Sequence, residues 1–254
     1  TSATVTFDKT FKRKHKVNVL IGQEQLYATS RFVEASAAKF PNGDLGLDDL
    51  SQGALAGIPR SWRDDEKLIS FFGRANYGYK DRYLLTASMR ADGSSKFGSG
   101  NKFGYFPSVA FAWRAIEENF MKEQHLLSDL KFRLSYGQSG NNRIANYLSL
   151  SLLGTNYYPL NDQPVIGVGS TTLPNAGLKW ETTISKNIGV DAGFFDQRLQ
   201  ITADYYRNNT RDLLLNAQVP YISGYTSVLK NIGETSNQGL ELTLNTVNIT
   251  SKQF

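Results

Sequence analysis

The sequence contains no cysteine, which excludes a disulfide framework and thiolate metal sites but leaves the cellular compartment open. It has two histidines, His15 and His125, far apart and without a ligand partner at metal spacing, so no metal and no cofactor is expected. No apolar run approaches the eighteen or so residues that a membrane-crossing helix needs, although that test is blind to strands. Helical periodicity is scarce, and no signal peptide opens the chain. Charge of one sign is also lacking: the net charge of +5 is modest for 254 residues and is spread rather than blocked. It argues only weakly for an acidic partner.

What the chain does have is alternation. Tyr83, Leu85, Ala87, Met89 and Ala91 interleave with Thr86, Ser88, Arg90 and Asp92. Tyr105, Pro107, Val109, Phe111 and Trp113 do the same with Ser108, Ala110, Ala112 and Arg114. A period of two with one apolar and one polar face marks a strand that separates two different surroundings. The same pattern recurs near Ser2–Phe11, Val17–Ile21, Ile69–Tyr77, Leu130–Tyr136, Trp180–Gly193, Leu199–Tyr206 and Asn237–Ile249, giving about nine strands. Several of these runs reach nine to twelve residues, roughly what a tilted strand needs to cross a bilayer. With 22 glycines, 13 tyrosines and 15 phenylalanines, the composition is that of an all-β protein.

The links between these runs alternate between short and long. Lys12–His15, Gly78–Arg82 and Phe194–Gln197 are tight. The stretches 32–66, 139–175 and 218–236 are long and irregular, and 116–129 suits a short helix. Phe11, Tyr77, Tyr79, Tyr83, Trp113, Phe194 and Phe195 gather beside the short links, where amphipathic rings would meet a membrane–water boundary. The pattern therefore predicts a transmembrane antiparallel β-barrel with short turns at one rim and long loops at the other. A soluble carbohydrate-binding β-sandwich stays open at this point, with the apolar faces turned into one protein core.

Few residues suggest chemistry. Lys12–Lys16 is a solvated hairpin turn with no base-stacking platform, so no nucleic acid is expected. Asp48-Asp49 and Asp64-Asp65-Glu66 lie in polar, Gly- and Pro-containing surroundings rather than in an evident catalytic cleft, and no catalytic residue is assigned. Asn208-Asn209-Thr210 and Asn248-Ile249-Thr250 match the glycosylation pattern, which a bacterial source would leave idle. Arg74, Arg90, Asp92, Lys131, Arg133, Asp191 and Asp204 fall on the polar faces, where they would line a wet lumen. Tyr147, Tyr157 and Tyr158 are the candidates for stacking on a ligand such as a sugar or a peptide.

Five stretches carry a resemblance: Asp92–Gly98 (DGSSKFG), Gly104–Ser108 (GYFPS), Leu134–Asn141 (LSYGQSGN), Leu178–Thr183 (LKWETT), and Asn231–Glu234 with Gln238–Leu242. In this order they resemble the barrel portion of SusC/RagA-type TonB-dependent transporters of the Bacteroidota outer membrane. The resemblance implies that residues 1–254 supply about nine strands of a 22-stranded barrel, with short periplasmic turns and long extracellular loops. It implies a plug domain and C-terminal strands outside this sequence. It also implies nutrient import in the outer membrane of a Gram-negative cell, with a SusD-like surface lipoprotein, TonB, outer-membrane lipid and an oligosaccharide or peptide cargo as partners. No enzymatic step is expected. A passive porin-like or structural barrel is the rival within the membrane class.

Overall fold

The computed structural model describes residues 1–44 and 48–249. Thr250, the last residue of the second glycosylation pattern, lies outside them. Strands β1 (Ser2–Phe11) and β2 (His15–Glu34) are followed by the two-residue strands β3 (Ala37–Ala38) and β4 (Leu55–Ala56). Then come β5 (Arg60–Tyr79), β6 (Tyr83–Ser94), β7 (Phe103–Arg114) and β8 (Leu127–Asn141). A hairpin, β9 (Leu153–Leu160) and β10 (Gln163–Ser170), precedes β11 (Glu181–Phe194) and β12 (Leu199–Arg211). A smaller hairpin, β13 (Leu214–Gln218) and β14 (Ser227–Asn231), leads into β15 (Glu234–Thr246).

The long strands form one nine-stranded sheet in the order β1-β2-β5-β6-β7-β8-β11-β12-β15, every neighbour antiparallel. The nine expected strands are these nine. At one end the chain turns tightly. Lys12 and Arg13, and again Lys80 and Asp81, adopt positive φ, and the turns close through Lys14 N–H to Phe11 O and Arg82 N–H to Tyr79 O, both at 3.0 Å. Such primed turns match the right-handed twist of the flanking strands. The longer link at this end, expected as a short helix, is instead two 3₁₀ turns, Ala115–Glu117 and Asn119–Met121. All the small hairpins lie at the opposite end.

Three expected boundaries need correction. β2 and β5 each run twenty residues and pair from His15↔Tyr79 to Glu34↔Arg60, so the irregular stretch is 35–59 rather than 32–66. At a tilt of about 45°, twenty residues rise roughly 45 Å, against an apolar band about 25 Å tall. The upper halves therefore stand in water on both faces, which is why alternation fades there while pairing continues. The stretches 139–175 and 218–236 are not structureless either, since they hold β9–β10 and β13–β14. Asn161 and Asp162, at φ 53° and 60°, form the two-residue turn between β9 and β10.

Burial decides between barrel wall and sandwich. The accessible surface is 18129 Å², where a soluble globular chain of this mass would show about 11,000 Å². Leu85 is 42% exposed, Leu134 54% and Ile188 57%, although all lie in the middle of the sheet. No second sheet covers them, because the other described sheets have two strands each. The apolar face is turned outward to a solvent that is not water. The sandwich expectation fails on this point.

Candidate functional site

The polar face of the sheet carries two charge clusters. In the first, Arg90 on β6 donates through Nε to both Asp92 oxygens at 2.7 and 2.9 Å, and through Nη2 to Glu24 at 3.1 Å and Ser70 Oγ at 2.9 Å. Its guanidinium lies 5.4 Å over the Phe72 ring. In the second, Arg133 on β8 donates to both oxygens of Asp191 at 2.9 and 3.0 Å and to Asp204 at 2.9 Å, with Lys131 3.5 Å from Asp191. Arg133 lies across Gly189, where a Cβ would collide with Asp204 and with the guanidinium. Of the seven polar-face residues expected to line a lumen, the structure brings Arg90 and Asp92 into the first cluster and leaves Arg74, opposite Ser88 on the same face, outside both. Lys131, Arg133, Asp191 and Asp204 form the second. Elsewhere the same face is lined by hydroxyls and amides, such as Ser88 on Ser108 at 2.7 Å and Thr86 on Asn76 at 2.8 Å. This is a wet wall held in register by side chains.

Above the wall, at the loop end, lies the largest buried apolar cluster among the described residues. Phe97, Phe106, Leu178 and Trp180 are buried together, with Leu68, Ile144, Leu148, Leu214 and Leu229 packed against them. Trp180 sits 5.4 Å from both Phe97 and Phe106, and its indole N–H donates to Lys102 O at 2.9 Å. The Phe106 ring occupies the space that side chains at Gly104 and Gly140 would need. Around this cluster Asn141 donates to Glu181 at 3.0 Å, and Glu181 accepts from Leu214 N–H at 3.1 Å. Asn231 and the Lys179 backbone exchange two bonds, at 2.8 and 2.9 Å. Sequence patterning missed this cap, because its residues are spread from 68 to 229 and share no period. The signal was present in another form. The Asp92–Gly98, Gly104–Ser108 and Leu178–Thr183 stretches supply its four buried residues, and Gly140, Asn141 and Asn231 from the other two stretches border it.

The three candidate tyrosines do not form one platform. Tyr147 spends its hydroxyl on the β5 backbone, 3.1 Å from Asp65 N and 3.3 Å from Asp65 O, and neighbouring Asn146 donates to Asp64 at 2.7 Å. It anchors the 142–152 stretch to the raised part of β5. Tyr157 and Tyr158 are adjacent on β9 and so point to opposite faces, both exposed. The Tyr158 ring lies over Gly167, and Tyr157 pairs opposite Ile166. Asp49, one of the paired acids, caps the 3₁₀ turn Leu50–Gln52. It accepts from Ser51 Oγ and N–H, and these bonds hold its carboxyl below the usual range. That is a structural task.

At the short-turn end, rings gather into a rim. Tyr79 is 4.9 Å from His15 and stacked 6.3 Å from Tyr83, and Trp113 stacks 5.5 Å from Phe132. Glu118, from the 3₁₀ link, accepts from Tyr83 O–H at 2.6 Å, Arg82 at 3.1 Å and Trp113 N–H at 3.3 Å. These donors, the Tyr83 hydroxyl first, hold its carboxyl below the usual range. An aromatic rim at the turn end, an apolar outward band and a polar inward face make a bilayer-spanning wall. The family model for "TonB dependent receptor-like, beta-barrel" matches residues 2–251. The chain belongs to the TonB-dependent receptor β-barrel family. It is 38% identical over 250 residues to TonB-dependent receptor P3 of Formosa agariphila, covering 98% of this chain and 25% of that relative. To TonB-dependent receptor SusC of Bacteroides thetaiotaomicron it is 40% identical over 196 residues, 74% of this chain and 19% of SusC. A solved structure of the RagAB peptide transporter superposes with a TM-score of 0.84 at 34% identity, over 96% of this chain and 27% of that one. The chain thus spans about a quarter of the length of the curated P3 receptor. As a TonB-dependent receptor barrel segment its place is the outer membrane of a Gram-negative cell, with the short turns periplasmic and the long loops outside.

Proposed function

We propose that this chain is part of the wall of one β-barrel domain in a SusC-type importer, in which TonB, acting on a plug domain, drives uptake of an oligosaccharide or peptide. A SusD-like lipoprotein would close the outer face. The observation that carries the reading is the open nine-stranded wall, polar on one face and apolar on the other, whose trace follows a peptide transporter at a TM-score of 0.84. A 22-stranded whole would continue from β1 and β15, the two unpaired edges of this sheet. In this reading the chain breaks and makes no bonds. The charge clusters hold the wall rigid around the bore, and the cap core fixes the loops from which cargo and lipoprotein are met. Tyr157 and Tyr158 are the candidate cargo contacts, and Tyr147 positions the loop beside them.

The test is energised uptake by the full-length protein in a cell carrying its neighbouring lipoprotein. Labelled oligosaccharides and peptides are offered with and without a protonophore. Accumulation of one cargo class that collapses with the protonophore supports the proposal. Entry indifferent to the protonophore and to removal of the plug would mean a passive barrel.

A further inference from the structure

We propose that the outward face of β11 and β12 holds a specific site for a phosphorylated glycolipid of the outer leaflet. Most of the outward face at mid-height is apolar, as a bilayer requires. On β11 and β12 the apolar band ends abruptly in cations. Ile188 pairs with Tyr205, and the next outward pair toward the loops is Lys186 with Arg207. Arg211 stands two outward positions higher on β12, opposite Thr182. All three cations are exposed, and they line one recess of about 230 Å³. The nearest acid ion-paired with any of them is Glu234, 4.0 Å from Arg211. Among the described residues Arg207 donates only a long 3.4 Å bond to Asn209.

The recess is continuous through Lys186 and Arg207 with a furrow of about 420 Å³ on the bilayer side, floored by Leu134, Ile188 and Tyr205. Basic above and apolar below, it fits an amphiphile with an anionic head and acyl chains. The loop end of the wall faces the outer leaflet, so the head lies on the outside of the cell. Arginine binds phosphate oxygens bidentately, and lysine adds a point charge. At the comparable height on β6 and β7 the outward residues are Ala91, Tyr105 and Pro107, which offer no cation, so this is not a uniform basic collar. Both flanking strands, β8 and β15, are in place, so the site is complete within this chain. The inference rests on the outer-membrane placement and is independent of the cargo.

The test uses the full-length transporter, purified in mild detergent, delipidated and offered purified lipid A, dephosphorylated lipid A or phosphatidylglycerol in nanodiscs. Bound lipid is counted by native mass spectrometry. Lipid A should be retained, and the triple variant Lys186→Gln, Arg207→Gln, Arg211→Gln should lose it at least about tenfold, the order expected from losing charge-assisted phosphate bonds. The charge-preserving pair Lys186→Arg, Arg207→Lys should keep it, which separates a lost site from a lost fold. Lys9→Gln, a cation at the periplasmic end of β1, should change nothing. Equal retention by the triple variant, or equal binding of dephosphorylated lipid A or phosphatidylglycerol, overturns the proposal. Energised uptake of cargo by the triple variant tells this failure apart from failure of the transport reading.

Discussion

The wall and the cap solve the same problem in opposite ways. In the wall, Leu85, Leu134 and Ile188 stay exposed, and the apolar solvent they need is supplied by lipid. In the cap, water surrounds the chain, so Phe97, Phe106, Leu178 and Trp180 build a protein core of their own from three separate segments. Burial within the chain is therefore a poor measure of what stabilises this molecule. Six apolar residues are buried among those described, yet the sheet is long and regular.

Each region should fail by its own rule. Trp180→Ala removes the centre of the cap and should cost about 3–5 kcal/mol of local stability. Limited proteolysis on intact cells should then nick the outer loops while the heat-resistant barrel band persists. Leu134→Arg should cost about 2–4 kcal/mol of barrel stability in lipid vesicles, whereas Ser135→Arg, on the wet face one residue away, should be tolerated. Equal damage at 134 and 135 would erase the distinction between the two faces. A smaller effect tests the hairpin above the cap. Asp162→Gly relieves a positive φ of 60° and should stabilise β9–β10 by roughly 0.5–1 kcal/mol, read as slower amide exchange in that hairpin.

The smallest effect is at the periplasmic rim. The Glu118 carboxyl is held below its usual range by Tyr83, Trp113 and Arg82. A carboxylate depressed in the folded state contributes stability that is fully present above its unfolded pKa and is lost as pH falls through the lowered folded value. Acidification through that window should loosen the junction of β6, β7 and the 3₁₀ link, seen as a change in Trp113 fluorescence. Glu118→Gln should show the loosened signal at neutral pH and remove its acid dependence.

The wall was legible in the sequence because lipid on one side and water on the other impose a period of two. All nine wall strands and the facing of Leu85 against Ser88, or Leu134 against Ser135, follow from that period. Where both faces meet water the period disappears, so the upper parts of β2 and β5 went unread although Phe32 and Trp62 stack there at 4.9 Å. The β9–β10 hairpin was missed because its turn is Asn161-Asp162 rather than a glycine pair, and its strands are interrupted by Pro159 and Pro164. The candidate site was half legible. The inward charges were placed correctly as a set, but their division into two clusters depends on Glu24 and Ser70, which no local pattern marks. Tyr147, expected from its ring to stack on a ligand, also ties its hydroxyl to the Asp65 backbone, a contact no local pattern marks.

The two outermost strands of the sheet have a practical consequence. Among the described residues β1 and β15 each present a free row of backbone donors and acceptors, and beside them Val5 and Leu240 are among the most exposed apolar side chains. Expressed alone, this segment should behave as an open zipper and fasten onto further copies of itself. Anyone wishing to handle it in isolation should plan for ribbons that grow with concentration, and for detergent and a charged substitution at each seam.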